Sequence, residues 1–248
     1  MNVKCALCQS ESPLQNSHII PEFLYTPLYD AIHRFHVVPN GAAKPPQQGY
    51  YEKLLCSECE QKFSKWEKYA KESFCQGVGI KIVQDGQIVK ISNLDYHKFR
   101  LFLLSLLWRM GVSRLDFFKL VDLGDKHKEI LRLALLDENP LEPLQYSCLM
   151  TIVLRNGKVF VDWISQPRRT KGDGKHCHCV VINGILFRFY VTSHPLPAAF
   201  ADACISKKNE TAISIEKLSN IPFLAEDTAE LADAIRSRKQ VGESKPQK

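Results

Sequence analysis

The sequence predicts an α+β protein: a small cysteine-organised segment at the N-terminal end, followed by a larger body of antiparallel hairpins packed on buried helices. Three observations predict it. Two Cys-x2-Cys pairs lie before residue 60, Asx-Gly dipeptides separate β-branched runs at three places, and one helix-length stretch between the first two of these is apolar on most of its sides. At 248 residues the chain is long enough to bury a proper core without covalent staples. Its apolar and charged fractions, 45% and 24%, are those of an ordinary globular protein, which sets aside repeats and low-complexity architectures.

Residues 1–75 read as an irregular segment with two cysteine knuckles and one good helix. Cys5 and Cys8 form the first pair, Cys56 and Cys59 the second, with forty-seven residues between them. Each pair is a tight turn aiming two thiolates at one point, and two such turns complete a tetrahedral sulfur site for a structural zinc ion. A redox pair would need a strand-helix-strand setting that neither has. The nine cysteines are an odd count, and the start of the chain has neither the apolar core of a secretory signal nor the Arg/Ser bias of a transit peptide. A cytoplasmic setting with reduced thiols is therefore expected. Between the knuckles, "HVVPNGAAKPPQQGYY" reads as a long loop. After Cys59, Phe63, Trp66, Ala70 and Phe74 share one face of a helix, Lys65, Lys68 and Glu72 the opposite one, and Glu60 and Glu67 lie almost in line on the flank.

The body, residues 76–224, begins with a hairpin signalled by Asp85-Gly86, a dipeptide that tolerates the positive φ of a type I′ turn. The helix from about Leu94 to Met110 is apolar on most sides and so belongs inside. Its most apolar window, Leu101 to Trp108, is far shorter than the ~20 residues needed to cross a bilayer, and no membrane association is expected. A second helix spans roughly Asp125 to Leu136, and further hairpins are predicted at Asn156-Gly157 and Asn183-Gly184. In "KHCHCVV", strand alternation puts His176 and His178 on one face and Cys177 and Cys179 on the other, which predicts packed cysteines and histidines on an open face, with no second metal site. Residues 225–248 read as an amphipathic helix with a flexible end.

The formal charge of +6 hints at an anionic partner, yet residues 1–75 carry eight Lys/Arg and eight Asp/Glu, so the excess lies in the remainder. "QPRRTKGDGK" concentrates part of it. Read as a flexible basic loop, it offers Arg168, Arg169, Lys171 and Lys175 to the phosphates of a nucleic acid. Phosphate-cradling P-loops, dinucleotide fingerprints and Gly-x-Ser-x-Gly elbows do not occur.

One stretch remains: "NSHIIPEF", with His18 inside an apolar run. Taken with "CALC" before it and "LLCSEC" leading into a helix after it, it resembles the zinc-containing HNH endonucleases of the His-Me finger group, over residues 1–75. The resemblance implies a ββα, treble-clef-like finger and a metal-dependent nuclease acting on DNA, or RNA as the less favoured substrate. His18 matches the family's general base. Its catalytic magnesium or manganese ion needs ligands, and here the sequence departs from the pattern: Ser17 stands where the family has Asp, Tyr51 and Glu52 stand nearest the central Asn, and Glu60 follows the last cysteine. Glu60, with Glu52 or Glu67, is the replacement set, since carboxylates suit such ions. His33 and His36 are explained as well by strand alternation as by ligation. The alternative function is a non-catalytic zinc module that binds nucleic acid or a protein partner. An activating protein partner or a homo-oligomer is compatible with either.

Overall fold

The computed structural model describes residues 4–26, 36–38, 49–161, 163–172, 174–192, 194–226 and 228. In chain order the N-terminal part holds β1 (Leu14–His18), the short helix α1 (Glu22–Tyr25), β2 (His36–Val38), β3 (Tyr51–Cys56) and α2 (Ser57–Ala70), which continues as a π-helical turn over Lys71–Cys75. β1 and β3 pair antiparallel, His18 opposite Tyr51 and Ser17 opposite Glu52, and β3 runs without a break into α2. The expected face of α2 is the buried one, with Phe63, Trp66 and Ala70 inside and Lys65 and Lys68 exposed. The expected loop between the knuckles contains one strand, since β2 pairs elsewhere; His33, and residues 39–48 of that loop, lie outside the described residues.

The body adds β4 (Lys81–Asp85), β5 (Ile88–Ser92), α3 (Tyr96–Val112), α4 (Gly124–Leu136), β6 (Cys148–Arg155), β7 (Lys158–Val159), β8 (Trp163–Ser165), β9 (Arg168–Gly172), β10 (Lys175–Ile182), β11 (Ile185–Tyr190) and β12 (Thr211–Lys217). Ten strands form one sheet in the order β2-β8-β10-β11-β6-β12-β5-β4, with β7 on β6 and β9 on β10. All three Asx-Gly hairpins are present. At Asn156-Gly157 and Asn183-Gly184 both central residues have positive φ, as a type I′ turn requires. The first hairpin departs by one residue. Asp85 pairs with Ile88, so its central residues are Gly86 and Gln87, and Gly86 alone has positive φ. Asp85 is thereby the last residue of a strand instead of the first of a turn. Two pairings are parallel, β12 with β6 and β2 with β8, and both join segments distant in sequence.

α3 lies inside on nearly every side, as its composition predicts, and its Asp95 cap accepts the Lys98 N–H. Gly111 is required where Leu123 crosses it, because a Cβ there would collide with the leucine side chain. The two arginines that flank the apolar window are themselves buried. Arg100 donates from its two terminal nitrogens to the carbonyls of Tyr146, Glu142 and Gln145, which replace water there, while its Nε is buried without a partner among the described residues. The apolar core is continuous across residue 75: Cys5, Leu7, Ile19, Phe63 and Trp66 belong to the same buried cluster as Phe99, Leu103, Trp108 and Ile213. Residues 222–226 are helical, and the rest of the expected C-terminal helix, from 229, lies outside the described residues.

Candidate metal centre and hairpin-helix site

The site begins with the sulfurs. Cys5, Cys8, Cys56 and Cys59 bring their Sγ atoms within 4.8 Å of one another, and Cys8 and Cys56 are 3.8 Å apart. A tetrahedron with metal–sulfur bonds of about 2.3 Å has sulfur–sulfur edges of roughly 3.8 Å, so the donor set fits a four-coordinate metal ion. The backbone supports it. Cys56 N–H donates to Cys5 Sγ at 3.3 Å, Ala6 N–H to the Leu54 carbonyl at 3.0 Å, and Gln9 takes positive φ to close the first knuckle. Burial pushes the Cys5 thiol up, and burial together with the neighbouring sulfurs pushes Cys59 up further. Burial also acts against Cys8, but the Ser10 hydroxyl at 3.0 Å and the Ser10 backbone outweigh it and hold that thiol at about 6. Four sulfurs this close resist ionising together unless a cation shares them, which is the chemistry of a closed metal site.

Around this cluster the hairpin and helix arrange the remaining candidates. His18 ends β1, half-buried, its ring edge-on to Tyr51 with centroids 6.1 Å apart. No hydrogen bond to its imidazole occurs among the described residues, whereas its carbonyl accepts from Arg109 Nη1 at 2.8 Å. The same nitrogen lies 2.7 Å from Glu67 Oε1, and the Arg109 guanidinium also stacks over Phe63. Arg109 is 2% exposed. Glu67, expected as a possible metal ligand, is therefore an ion-pair partner. Glu52 is likewise committed, accepting from the Ser113 hydroxyl at 3.0 Å and from Arg114 N–H at 3.1 Å at the end of α3. Ser17 is fully buried, and its hydroxyl accepts the Leu55 N–H, so it ties the two strands together. Of the proposed carboxylates Glu60 alone is left with a buried oxygen, Oε1, that has no partner among the described residues.

The basic candidates are not gathered in one loop. Residues 168–172 form β9, paired with β10 in register from Arg168 opposite Cys179 to Gly172 opposite Lys175. Alternation then places Arg168 and Lys175 on the face of the buried cysteines, and Arg169 and Lys171 on the face of the histidines. Arg168 stacks over Phe223, and Asp173 lies outside the described residues. The loop expectation failed because β-pairing of residues 168–172 with residues 175–179 overrides a polar composition. Cys177 and Cys179 are packed inside as expected. His178 is not on an open face: it is 4% exposed with Nδ1 unpartnered, and burial, followed by the charge of Arg169, lowers it to about 4. Alternation gave the correct face, and His176 is exposed as expected, but the rule could not reveal that His178 is buried.

Arg109 and Arg132 were missed. Arg132, on α4, donates to the Leu7 carbonyl at 2.6 Å inside the first knuckle. The available signal for Arg109 was its place on the same helical stripe as Phe102 and Leu106, where a charge must be paired. No helix among the described residues is long and apolar enough to cross a membrane. No protein-family model, curated protein or solved structure matches the chain.

Proposed function

We propose that the chain is a metal-dependent nuclease of the HNH kind, built on a zinc-stabilised, treble-clef-like finger that hydrolyses phosphodiester bonds of nucleic acid, with DNA the favoured substrate. The observation that supports this reading is that one hairpin-helix unit carries both the half-buried imidazole of His18, at the end of β1, and the buried Oε1 of Glu60, in the first turn of α2, which has no partner among the described residues. A buried carboxylate oxygen without a donor is costly, and a cation is the partner that suits it. A magnesium or manganese ion held there would polarise the phosphate and stabilise the leaving oxygen. His18 takes the proton of the attacking water at an imidazole nitrogen. Arg109 fixes the His18 backbone and so orients the ring, and the sulfur cluster, closed to substrate, holds the helix from which Glu60 projects.

Plasmid nicking by wild type, His18→Ala and Glu60→Gln, with metal content verified and magnesium or manganese titrated, tests the reading. His18→Ala should slow nicking by about 10²–10⁴-fold while the cluster metal stays bound. Glu60→Gln should raise the divalent metal concentration required. Full activity in His18→Ala would sink the assignment. A second reading, a non-catalytic zinc module that binds nucleic acid or a protein, is favoured by the structural commitments of Ser17, Glu52 and Glu67. It forecasts salt-sensitive binding with no cleavage under any divalent metal.

A further inference from the structure

β4 is the end strand of the ten-stranded sheet, and all five of its residues are exposed. Natural edges are usually guarded by a proline, a bulge or an inward-pointing charge. Within residues 81–85 the sequence is Lys-Ile-Val-Gln-Asp, with no proline, and pairing with β5 runs without a bulge. Ile82 and Val83 are 54% and 46% exposed, and Val78 and Ile88 beside them are also open. Ile82 stands opposite Ile91, which is buried, so the core-facing row of the sheet ends abruptly at this edge.

The strand is complementary to itself. A two-residue turn closes on a hydrogen-bonded pair, here Asp85 and Ile88, so the backbone groups of Lys81, Val83 and Asp85 face β5 while those of Ile82 and Gln84 face outward. An antiparallel copy centred on Val83 sets each Ile82 opposite the second copy's Gln84, and both residues present the N–H and C=O that such a pair exchanges. The same register sets Val83 against Val83 and Lys81 against Asp85, twice. Registers moved by one residue on each copy keep the backbone bonds but lose both charge pairs and the valine contact. Charge pattern and backbone polarity thus select one arrangement with two-fold symmetry, the symmetry a closed dimer needs.

We propose that β4 is a homodimerisation edge, pairing antiparallel about Val83 with β4 of a second copy and continuing the sheet from one protomer into the next. This does not depend on the nuclease reading. The test is sedimentation of the full chain over a concentration series, with circular dichroism to confirm that each variant is folded. Wild type should approach twice the 28.3 kDa of the monomer as concentration rises. Lys81→Asp, which opposes two acids at each end, should raise the dimer dissociation constant at least tenfold, and the exchange Lys81→Asp with Asp85→Lys should restore it. Gln84→Pro removes an N–H that the β4–β5 hairpin does not use, and should abolish the dimer while leaving the fold intact. A monomeric wild type at every concentration overturns the proposal. So does a dimer indifferent to Lys81→Asp and Gln84→Pro, or one that the charge exchange fails to restore.

Discussion

Residues 4–75 and the sheet body that follows are held together by different physics. The N-terminal part has a two-stranded ladder, the short helix α1, the longer helix α2 and four clustered sulfurs that could hold a metal ion. The body supplies nine strands of the ten-stranded sheet, which β2 completes, and a helix buried on nearly all sides. Yet the body reaches across: Arg109 and Arg132, on α3 and α4, donate to the carbonyls of His18 and Leu7. The difference teaches that clustered sulfurs mark a knuckle organised locally, whereas β1 is also held by side chains from elsewhere in the chain.

The largest test of that contrast is removal of the cluster metal by a chelator, or its prevention by Cys59→Ser. Structural zinc of this kind contributes on the order of 10 kcal/mol to its own segment. Hydrogen exchange should show protection lost in β1, β3 and the start of α2 while β10 and β11 keep theirs. Equal loss in both regions would erase the distinction.

Next in size is Arg109→Met. It strips Glu67 and the His18 carbonyl of a buried partner, and should lower stability by about 3–5 kcal/mol in thermal or denaturant unfolding. Arg109→Met with Glu67→Met should recover part of that loss, because no uncompensated charge remains. A single-variant cost below about 1 kcal/mol would mean that the two regions do not depend on this bridge.

A smaller effect belongs to the body alone. His178 is lowered to about 4 by burial, against an ordinary value near 6.5, so the folded state favours the neutral ring. Its contribution is fully present above about pH 6.5 and is lost as the pH falls toward 4, because the unfolded chain takes up the proton first. Unfolding free energy should fall by roughly 2 kcal/mol between pH 7 and pH 5 on this account. His178→Leu should flatten that limb, and an unchanged slope would show that His178 is not its source.

Local signals in the sequence were legible. The Asx-Gly hairpins, the apolar helix and the sulfur cluster depend on residues close together or on one spacing rule, and all are found. Signals of what lies opposite were not. Alternation cannot say that His178 is covered, a polar run cannot say that β9 has a partner, and no local pattern reveals that β12 inserts beside β6. At the site, His18 and Glu60 could be singled out, but the engagement of Glu52 and Glu67 depends on α3 and the residues just after it, some forty to sixty positions away.

The place of β12 has a consequence for synthesis. β5 and β6 flank it in the sheet, yet it is translated long after both. At ribosomal speeds of about 5–20 residues per second, the β4–β5 hairpin waits on the order of ten seconds with its inner edge bare. During that interval the nascent chain carries an unclaimed strand slot, which a chaperone must shield or a neighbouring polypeptide can occupy. The final seal of this sheet is therefore a late event in the life of each molecule, made by the arrival of residues 211–217.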